Sequence, residues 1–402
     1  MIKSVLSIVI LMLSTSVASA DLMSEPSGAL KGKKHDAYSA MHEGMTNCEQ
    51  RNDNKWRLKI YPISLKKYNF KDEFYSPFNN RGGASCKAGF TQMFNGKNSI
   101  NTNLPPLIDA NGGKEYGNSN NARSIAMIWW SIATSHVVYD PNSKGANIVR
   151  KTLLEWAKNN ALSKNIQANY GKKPMEYEVA VIVSRLVETV GAFGPTLAEE
   201  DRLIIGPWLD KLVRKLQKSS WLSRQDNKQY LSDYTVTLWA AINNDFKPIE
   251  KLANNFKHAV HDMRDDGSIV QESVRGGTTL HYQSFSATLM LKEAALIKNI
   301  TGVDLTNYRA EGERSLRDAL LNLVKNYKNP KAQAKLYGRN CPSASFGTIE
   351  NPEMNWRKFS LKPALEYANS EHKNLKLDLT ASQVKGPSEY ASMGNMRCMF
   401  TE

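Results

Sequence analysis

The sequence predicts an all-α protein, and three observations lead to that prediction. From about residue 118 onward, apolar residues recur at i, i+3, i+4 and i+7, the spacing of one face of an α-helix. Short segments rich in Asn, Asp, Gly and Pro separate these runs. The same region lacks convincing pairs of alternating strands and the fixed-period repeat of ordinary solenoids. Helices joined by short links usually form antiparallel hairpins, which can close into a bundle, a solenoid or an α/α toroid.

Three segments show the helical spacing most clearly. They are Ile125, Ile128, Trp129 and Ile132; then Ile205, Leu209, Leu212 and Leu216, with Pro207 expected in the first turn; and finally Ile249, Leu252, Phe256 and Val260. Further helices are predicted near 145–160, 176–195, 231–243, 279–299 and 312–326. Turn residues link them at 140–143, 159–160, 194–195, 243–245 and 265–267.

The chain is predicted to have three parts. Residues 1–20 have the charged start, short apolar run and Ala18-Ser-Ala20 cleavage site of a secretory signal. Residues 21–117, rich in Asn, Gly, Lys and aromatics, predict an N-terminal arm with lid-like loops. Residues 118–402 form the helical domain, and we expect its last segment, 327–402, to pack back onto the body. The mature protein is therefore expected in the periplasm or secreted, as a monomer without stable membrane insertion.

The charge and the cysteines fit an exported protein. The chain carries a net charge of +14, and removal of the signal, with its one lysine and no acid, leaves +13. A chain this basic attracts polyanions, which outside the cytoplasm are acidic polysaccharides more naturally than nucleic acid. Four cysteines, an even number, favour disulfides in an exported chain. Three pairings are possible, of which we favour Cys48–Cys86 with Cys341–Cys398 because each closes a Gly/Asn/Pro-rich segment.

Two polar clusters lie between the predicted helices. The first is the run 226–230, Asp-Asn-Lys-Gln-Tyr, and the second contains Glu272 and Arg275 and ends at Tyr282. The glycines at 276 and 277 should break any helix after Arg275, and Thr278 or Thr279 can cap a new one. Both Arg275 and Tyr282 could then face one groove, with Glu272 orienting Arg275 through a bidentate pair.

These residue types suit the removal of a proton beside a sugar carboxylate. An arginine fork matches a carboxylate and can neutralise it while charge develops on the adjacent carbon. A tyrosine can act as acid, and as base if its pKa falls from about 10. We expect Arg275 or Lys228 to lower the pKa of Tyr282 by favouring the phenolate. Asn227 can donate a hydrogen bond as the charge builds.

Residues 200–305 resemble the alginate lyase family of the bacterial periplasm. The matching stretches lie at 207–212, 226–230, 266–268, 272–276, 280–282 and 302–305. In that family an Asn-His pair is followed by an Arg at the interval seen here between Lys228 and Arg275, and then by a Tyr seven positions later. The resemblance implies an incomplete α/α toroid, and it weakens before 118 and after 330.

Carried over position by position, the resemblance implies catalytic roles for four residues. Asn227 and Arg275 match the carboxylate neutralisers, and Tyr282 matches the residue that serves as acid and, for some stereochemistries, also as base. Lys228 stands where the family has a catalytic His. It can be a third neutralising cation, which leaves both proton transfers to Tyr282, or a base whose pKa is depressed by burial. Loss of alginate activity, or a different polyuronate substrate, also fits.

Other positions are predicted to contact substrate or are set aside. The candidate sugar contacts are Tyr177, Tyr230, Lys173 and, from the lid-like arm, Arg81. His281 is predicted to be structural, since it points away from Tyr282 on a helix. His258 and His261 have no clear third metal ligand, so we predict no metal and no cofactor.

The sequence therefore predicts an exported polysaccharide lyase that cleaves a 1,4-linked polyuronate by β-elimination. Alginate, especially its mannuronate blocks, is the expected substrate, with glucuronan or another polyuronate next. The alternative is a non-catalytic protein that binds acidic polysaccharides on the same scaffold. A third interpretation is a polyanion or membrane-surface binder that depends on net charge alone, with steep salt dependence.

Overall fold

The computed structural model describes residues 103–109, 122–164, 177–218, 226–245, 247–273, 275–310, 314–326, 329–332 and 352. The predicted signal, most of the N-terminal arm, the four cysteines, Arg81, Lys173 and nearly all of the final segment lie outside these ranges. Within them the regular structure is helical, with two isolated bridges, Asp109 to Lys164 and Met263 to Ile269. The all-α prediction is confirmed for this part of the chain.

Nine α-helices make up the described body. They are α1 (Ala122–Tyr139), α2 (Lys144–Lys158), α3 (Tyr177–Phe193), α4 (Glu199–Gln217), α5 (Asn227–Ile242), α6 (Pro248–His261), α7 (Val270–Ser273), α8 (Thr279–Thr301) and α9 (Leu316–Asn326). Short 3₁₀ turns at Gly194–Thr196, Gly276–Thr278 and Leu305–Asn307 lie among them. Every helix predicted from spacing is present, with ends that differ by a few residues.

The helices form two layers. One layer consists of α1, α3, α5 and α8, which pack side by side in that order. Each of them also packs against the next helix in the chain: α1 against α2, α3 against α4, α5 against α6, and α8 against α9. Every residue of α5 is buried, as are most of α3 and α8, so these helices lie between neighbours on several sides. The segment Tyr177–Thr196 is long and apolar enough to cross a membrane, but 89% of its apolar window is buried inside the fold. The apolar side chains of this segment therefore pack in the hydrophobic core.

Local sequence signals explain several helix ends. Ser143 caps α2 by accepting a hydrogen bond from the Ala146 amide, and Gly302 ends α8 in the left-handed conformation. Gly267 has a φ of +80°, a conformation that favours glycine, and an added Cβ would lie 2.2 Å from the Asp318 carbonyl oxygen. Both the backbone conformation and the lack of space therefore require glycine in this turn. The predicted turn at 265–267 is thus confirmed.

Three details of the helix predictions are wrong. Ile125 and Ile128 are 43% and 51% exposed, because the buried face of α1 runs instead through Ala122, Ala126 and Trp130. Pro207 lies inside α4, which begins eight residues earlier at Glu199. Neither threonine caps α8 through its side chain: Thr278 is the cap residue without that bond, and the Thr279 hydroxyl donates to the Ser273 and Gly276 carbonyls.

An ionic cluster lies in the middle of the apolar core. We call Arg185, Glu188, Tyr234 and Lys292 the core cluster. The Glu188 carboxylate pairs with Arg185 and with Lys292, and it accepts a hydrogen bond from the Tyr234 hydroxyl at 2.9 Å. The side chains of Arg185, Glu188 and Lys292 are 0% exposed. The cluster joins α3, α5 and α8, and burial lowers the pKa of Lys292 to about 7.

Candidate active site

The first part of the site is the amino end of α5. Asp226 is its N-cap residue, and its Oδ1 accepts a hydrogen bond from the Lys228 amide at 3.0 Å. Aspartate is a favoured N-cap because it satisfies an amide that has no partner inside the helix. The cap fixes Asn227 and Lys228 in the first helical turn, so the predicted polar cluster becomes one compact end of a buried helix.

Glu272 ties that helix end to the second cluster. The Glu272 side chain is fully buried in α7. Its Oε1 accepts from the Asn227 amide and from the Ser286 hydroxyl of α8, both at 2.9 Å, while its Oε2 accepts from Arg275 Nε at 2.9 Å. Because both oxygens accept hydrogen bonds, the charge is well satisfied despite burial. One carboxylate therefore fixes α5, α7, α8 and Arg275 relative to each other.

Arg275 lies between two carboxylates and an aromatic ring. Its Nη2 is 3.7 Å from Asp226 Oδ2, and its Cζ is 4.4 Å from the centre of the Tyr282 ring. The predicted bidentate pair with Glu272 is therefore replaced by one contact to Glu272 and a longer one to Asp226. Burial opposes the charge, but Glu272 and Asp226 outweigh it and raise the pKa of Arg275. Arg275 and Tyr282 do meet at one place, as expected from their spacing.

Lys228 points back toward its own helix cap. Its Nζ donates to Asp226 Oδ2 at 3.0 Å, and its side chain is only 9% exposed. Burial, the largest influence, lowers the pKa of Lys228, and the Arg275 charge also lowers it, while Asp226 and Glu272 oppose the change. The net result is a pKa of about 8. At neutral pH Lys228 is thus mostly charged, but it loses its proton at a lower pH than a surface lysine does.

Arg275 acts on the pKa of Tyr282 in the predicted direction, but the expected net fall does not occur. Burial raises the pKa of Tyr282, and Arg275 opposes the rise without reversing it, while Glu272 and Asp226 add to it. The neutral phenol is therefore the resting form. The error has a plain cause: spacing indicates that a cation is near, but it does not indicate how much water the phenol loses or which acids lie behind the cation.

Asn227 has hydrogen-bonding capacity left in the site. It is 2% exposed, and its backbone amide donates to Glu272. Its side-chain Oδ1 is buried without a hydrogen-bond partner among the described residues. Oδ1 is an acceptor, so its desolvation penalty can be relieved by a hydrogen-bond donor such as a sugar hydroxyl. Asn227 is thus placed to contact a molecule that enters beside Lys228 and Arg275.

The predicted sugar contacts are less well placed. Tyr230 is 2% exposed and belongs to the apolar core, so it has no free face for a sugar, and the predicted contact is corrected to a packing role. Tyr177 begins α3 and packs, partly buried, against the core. His281 does not point away from Tyr282 as predicted, since its ring packs against the Tyr282 and Phe285 rings. Within the described ranges, we find no group of three or more His, Cys, Asp or Glu side chains suited to a metal ion.

The family model for alginate lyase matches residues 98–333, which is more than half of the chain. The chain belongs to the alginate lyase family. It is thus a polysaccharide lyase by family, and the match includes every described residue of the site. A search of curated proteins finds no match to the chain.

Solved structures of the family share the fold. Alginate lyase A1-III from Sphingomonas species A1 is 17% identical, with 92% of this chain and 94% of that chain covered and a TM-score of 0.53. A variant of alginate lyase A1-III complexed with a tetrasaccharide gives 16% identity, the same coverage and a TM-score of 0.54. At this identity the comparison establishes the fold, and the two-layer arrangement described above is the α/α toroid of these lyases.

Two members of the candidate site were missed from sequence. The sequence prediction gives Asp226 no role, although an acid directly before a helix is a readable N-cap signal. Ser286 lies four residues after Tyr282 and therefore on the same face of α8. A lone serine in an apolar helix carries no such signal, and only the structure shows its hydroxyl bound to Glu272.

Proposed function

We propose that this lyase cleaves a 1,4-linked polyuronate by β-elimination, with alginate, and in particular its mannuronate blocks, as substrate. The observation that carries the proposal is the Arg275 guanidinium 4.4 Å from the Tyr282 ring, beside the amino end of α5. Elimination from a uronate needs a neutralised C6 carboxylate and a proton carrier within reach of both C5 and O4. The proximity of a guanidinium and a phenol in this site supports the proposal.

Arg275, Asn227 and Lys228 are proposed to hold the C6 carboxylate. Arg275 supplies the planar fork, the Asn227 side-chain amide supplies a neutral donor, and Lys228 supplies a second positive charge. The two cations are balanced in the free site by Asp226 and Glu272. A substrate carboxylate therefore brings negative charge to a site that already holds its cations in place, where charge developing on the C5 side can be stabilised.

Tyr282 is proposed to carry both protons. Its phenolate oxygen takes the C5 proton, the C–H electron pair forms the C4–C5 double bond, and the C4–O4 bond breaks. The phenol then gives its proton to the departing O4, which regenerates the phenolate and leaves an unsaturated sugar at the new non-reducing end. Because burial raises the pKa of Tyr282, the phenolate is the minor form at neutral pH. Turnover should therefore increase with pH as long as Lys228 stays charged.

The location and the net charge fit this role. Residues 1–20 are proposed to direct export to the periplasm or beyond the cell, where the acidic polysaccharide lies. The net charge, +14 for the whole chain and +13 without residues 1–20, favours encounter with a polyanion through long-range attraction. Such attraction weakens with salt, whereas the chemistry at Tyr282 does not depend on it directly.

The test is a panel of polymers followed by ultraviolet absorbance of the new double bond. Polymannuronate, polyguluronate, glucuronan and an uncharged glucan are incubated with the wild type, and melting temperature is recorded with each polymer. We expect absorbance to rise with at least one uronate polymer, most with polymannuronate, and not with the glucan. A melting temperature that rises with a uronate polymer while no double bond forms would assign the chain to the alternative, a non-catalytic polysaccharide binder.

A further inference from the structure

We propose that Asp226 is a positioning residue that keeps Lys228 as a cation in the site and holds it beside Arg275. The part of this inference that concerns turnover depends on the proposed lyase function. The part that concerns the charge of Lys228 does not, because it follows from the contacts of the free protein.

Asp226 uses its two oxygens for two different tasks. Oδ1 caps α5 through the Lys228 amide at 3.0 Å, and Oδ2 accepts from Lys228 Nζ, also at 3.0 Å. Oδ2 also lies 3.7 Å from Arg275 Nη2. The Asp226 side chain is only 3% exposed, so water screens these contacts little. The same carboxylate thus sets the backbone position of Lys228 and neutralises its side chain.

The charges around Lys228 explain why this carboxylate is needed. Burial disfavours the ammonium, and Arg275 repels it. Asp226 and Glu272 oppose these effects, but both Glu272 oxygens already accept hydrogen bonds from other groups, with Oε2 accepting from Arg275 Nε. Among the acids of the described site, Asp226 accepts a hydrogen bond from Lys228 Nζ directly. Without that negative charge, Lys228 would lose its proton at a lower pH and could no longer neutralise a sugar carboxylate.

The contact with Arg275 has a different purpose. At 3.7 Å it is longer than a normal hydrogen bond, whereas the contact of Arg275 Nε with Glu272 is 2.9 Å. Glu272 therefore fixes the guanidinium, and Asp226 makes no normal hydrogen bond to Nη2 at its longer distance. Asp226 in this way orders the two cations without occupying the fork that a substrate would use.

The experiment uses Asp226→Asn in the full-length protein. Asparagine is as good an N-cap as aspartate, so the variant keeps the backbone cap and removes only the charge. Lysine labelled with ¹³C at Cε reports the titration of each amine by NMR, and Lys228→Met identifies the Lys228 signal. The matched control is Asp304→Asn: Asp304 also accepts a backbone amide hydrogen bond at a helix start, and its Oδ2 lies 3.7 Å from Lys298 Nζ in a partly exposed pair.

We expect the titration midpoint of Lys228 to fall by about one pH unit or more in Asp226→Asn, since a contacting opposite charge shifts a pKa by that amount. In turnover measurements the alkaline limb of the pH profile should fall by the same interval, while Asp304→Asn leaves both unchanged. A Lys228 midpoint that does not move overturns the inference. So does faster turnover of Asp226→Asn near neutral pH, because Lys228 would then act as a neutral base. If no polyuronate is turned over, the NMR midpoint still decides the charge role, and only the proposed function fails.

Discussion

The core cluster and the site cluster, which we define as Asp226, Lys228, Glu272, Arg275 and Tyr282, are built from the same materials. Each has a lysine, an arginine, a buried glutamate and a tyrosine, and each uses helices α5 and α8. In each a cation lies over a tyrosine ring, Lys292 Nζ at 4.5 Å from Tyr234 and Arg275 Cζ at 4.4 Å from Tyr282. Residue types and ring geometry therefore do not distinguish a reactive site from an internal ion pair.

Access to solvent makes the difference. The ionic side chains of the core cluster are 0% exposed, whereas Lys228 and Arg275 retain 9% and 12% exposure and Tyr282 is only partly buried. The pKa of Lys292 is lowered to about 7 and that of Lys228 to about 8, so the less exposed lysine has the lower pKa. We therefore expect substitutions in the core cluster to change stability and substitutions in the site cluster to change turnover.

The largest expected effect is that of Tyr282→Phe. The change removes the proposed proton carrier, and because one residue serves as both base and acid, turnover should fall by about 10⁴-fold, roughly 5 kcal/mol in the barrier. The measurement is the rate of double-bond formation with the best polymer of the panel, alongside the melting temperature. Turnover within tenfold of the wild type would mean that another group moves the protons.

Glu188→Ala should have the next largest effect, on folding. It leaves Arg185 and Lys292 buried without their carboxylate, and breaking a buried pair in this way destabilises by about 4 kcal/mol. Denaturant unfolding followed by circular dichroism measures the change. If the alanine variant does not fold, Glu188→Gln, which keeps the shape but loses the charge, should show a smaller loss in the same direction. An unchanged midpoint in either variant would contradict the assigned role.

The pH dependence of stability should separate the two lysines. The fold lowers the pKa of Lys292 from 10.5 to about 7, so between these values unfolding takes up a proton and stability increases with pH. The gain is about 1.4 kcal/mol for each pH unit, and it should be absent from Lys292→Met. Unfolding free energies near neutral pH and near pH ~9 measure it.

The same comparison with Lys228→Met provides the control. The pKa of Lys228 is lowered only to about 8, so its share of the gain should begin about one pH unit higher. Wild-type and Lys292→Met stabilities that run parallel over this pH range would show that Lys292 keeps its proton in the fold.

Tyr234→Phe should have the smallest effect and is the matched counterpart of Tyr282→Phe. It removes one hydrogen bond to the Glu188 carboxylate, which still pairs with Lys292, and the expected loss is about 1.5 kcal/mol. Turnover per folded molecule should stay at the wild-type level. A large loss of turnover with little change in stability would place Tyr234 in the reaction and remove the distinction between the two clusters.

The sequence allowed the helices to be predicted because their causes are local. Apolar spacing identified the buried faces of α4 and α6 correctly, since Ile205, Leu209, Ile249 and Phe256 are all buried. The same rule failed on α1, where nearly every position is apolar or small and several faces fit the pattern equally well. In the site, Arg275 and Tyr282 were predicted to meet. The glycines between them break the chain into two short segments, and this keeps Arg275 close to the start of the helix that carries Tyr282.

Electrostatic balance was not predictable, because it depends on contacts between distant segments. The sign of the pKa shift of Tyr282 was wrong since burial outweighs the neighbouring cation, and the core cluster was missed since Glu188 and Lys292 are 104 residues apart. Periodicity, caps and turns act over a few residues and are readable along the chain. The water that each charge loses, and the partner it gains in return, are set only when the helices pack.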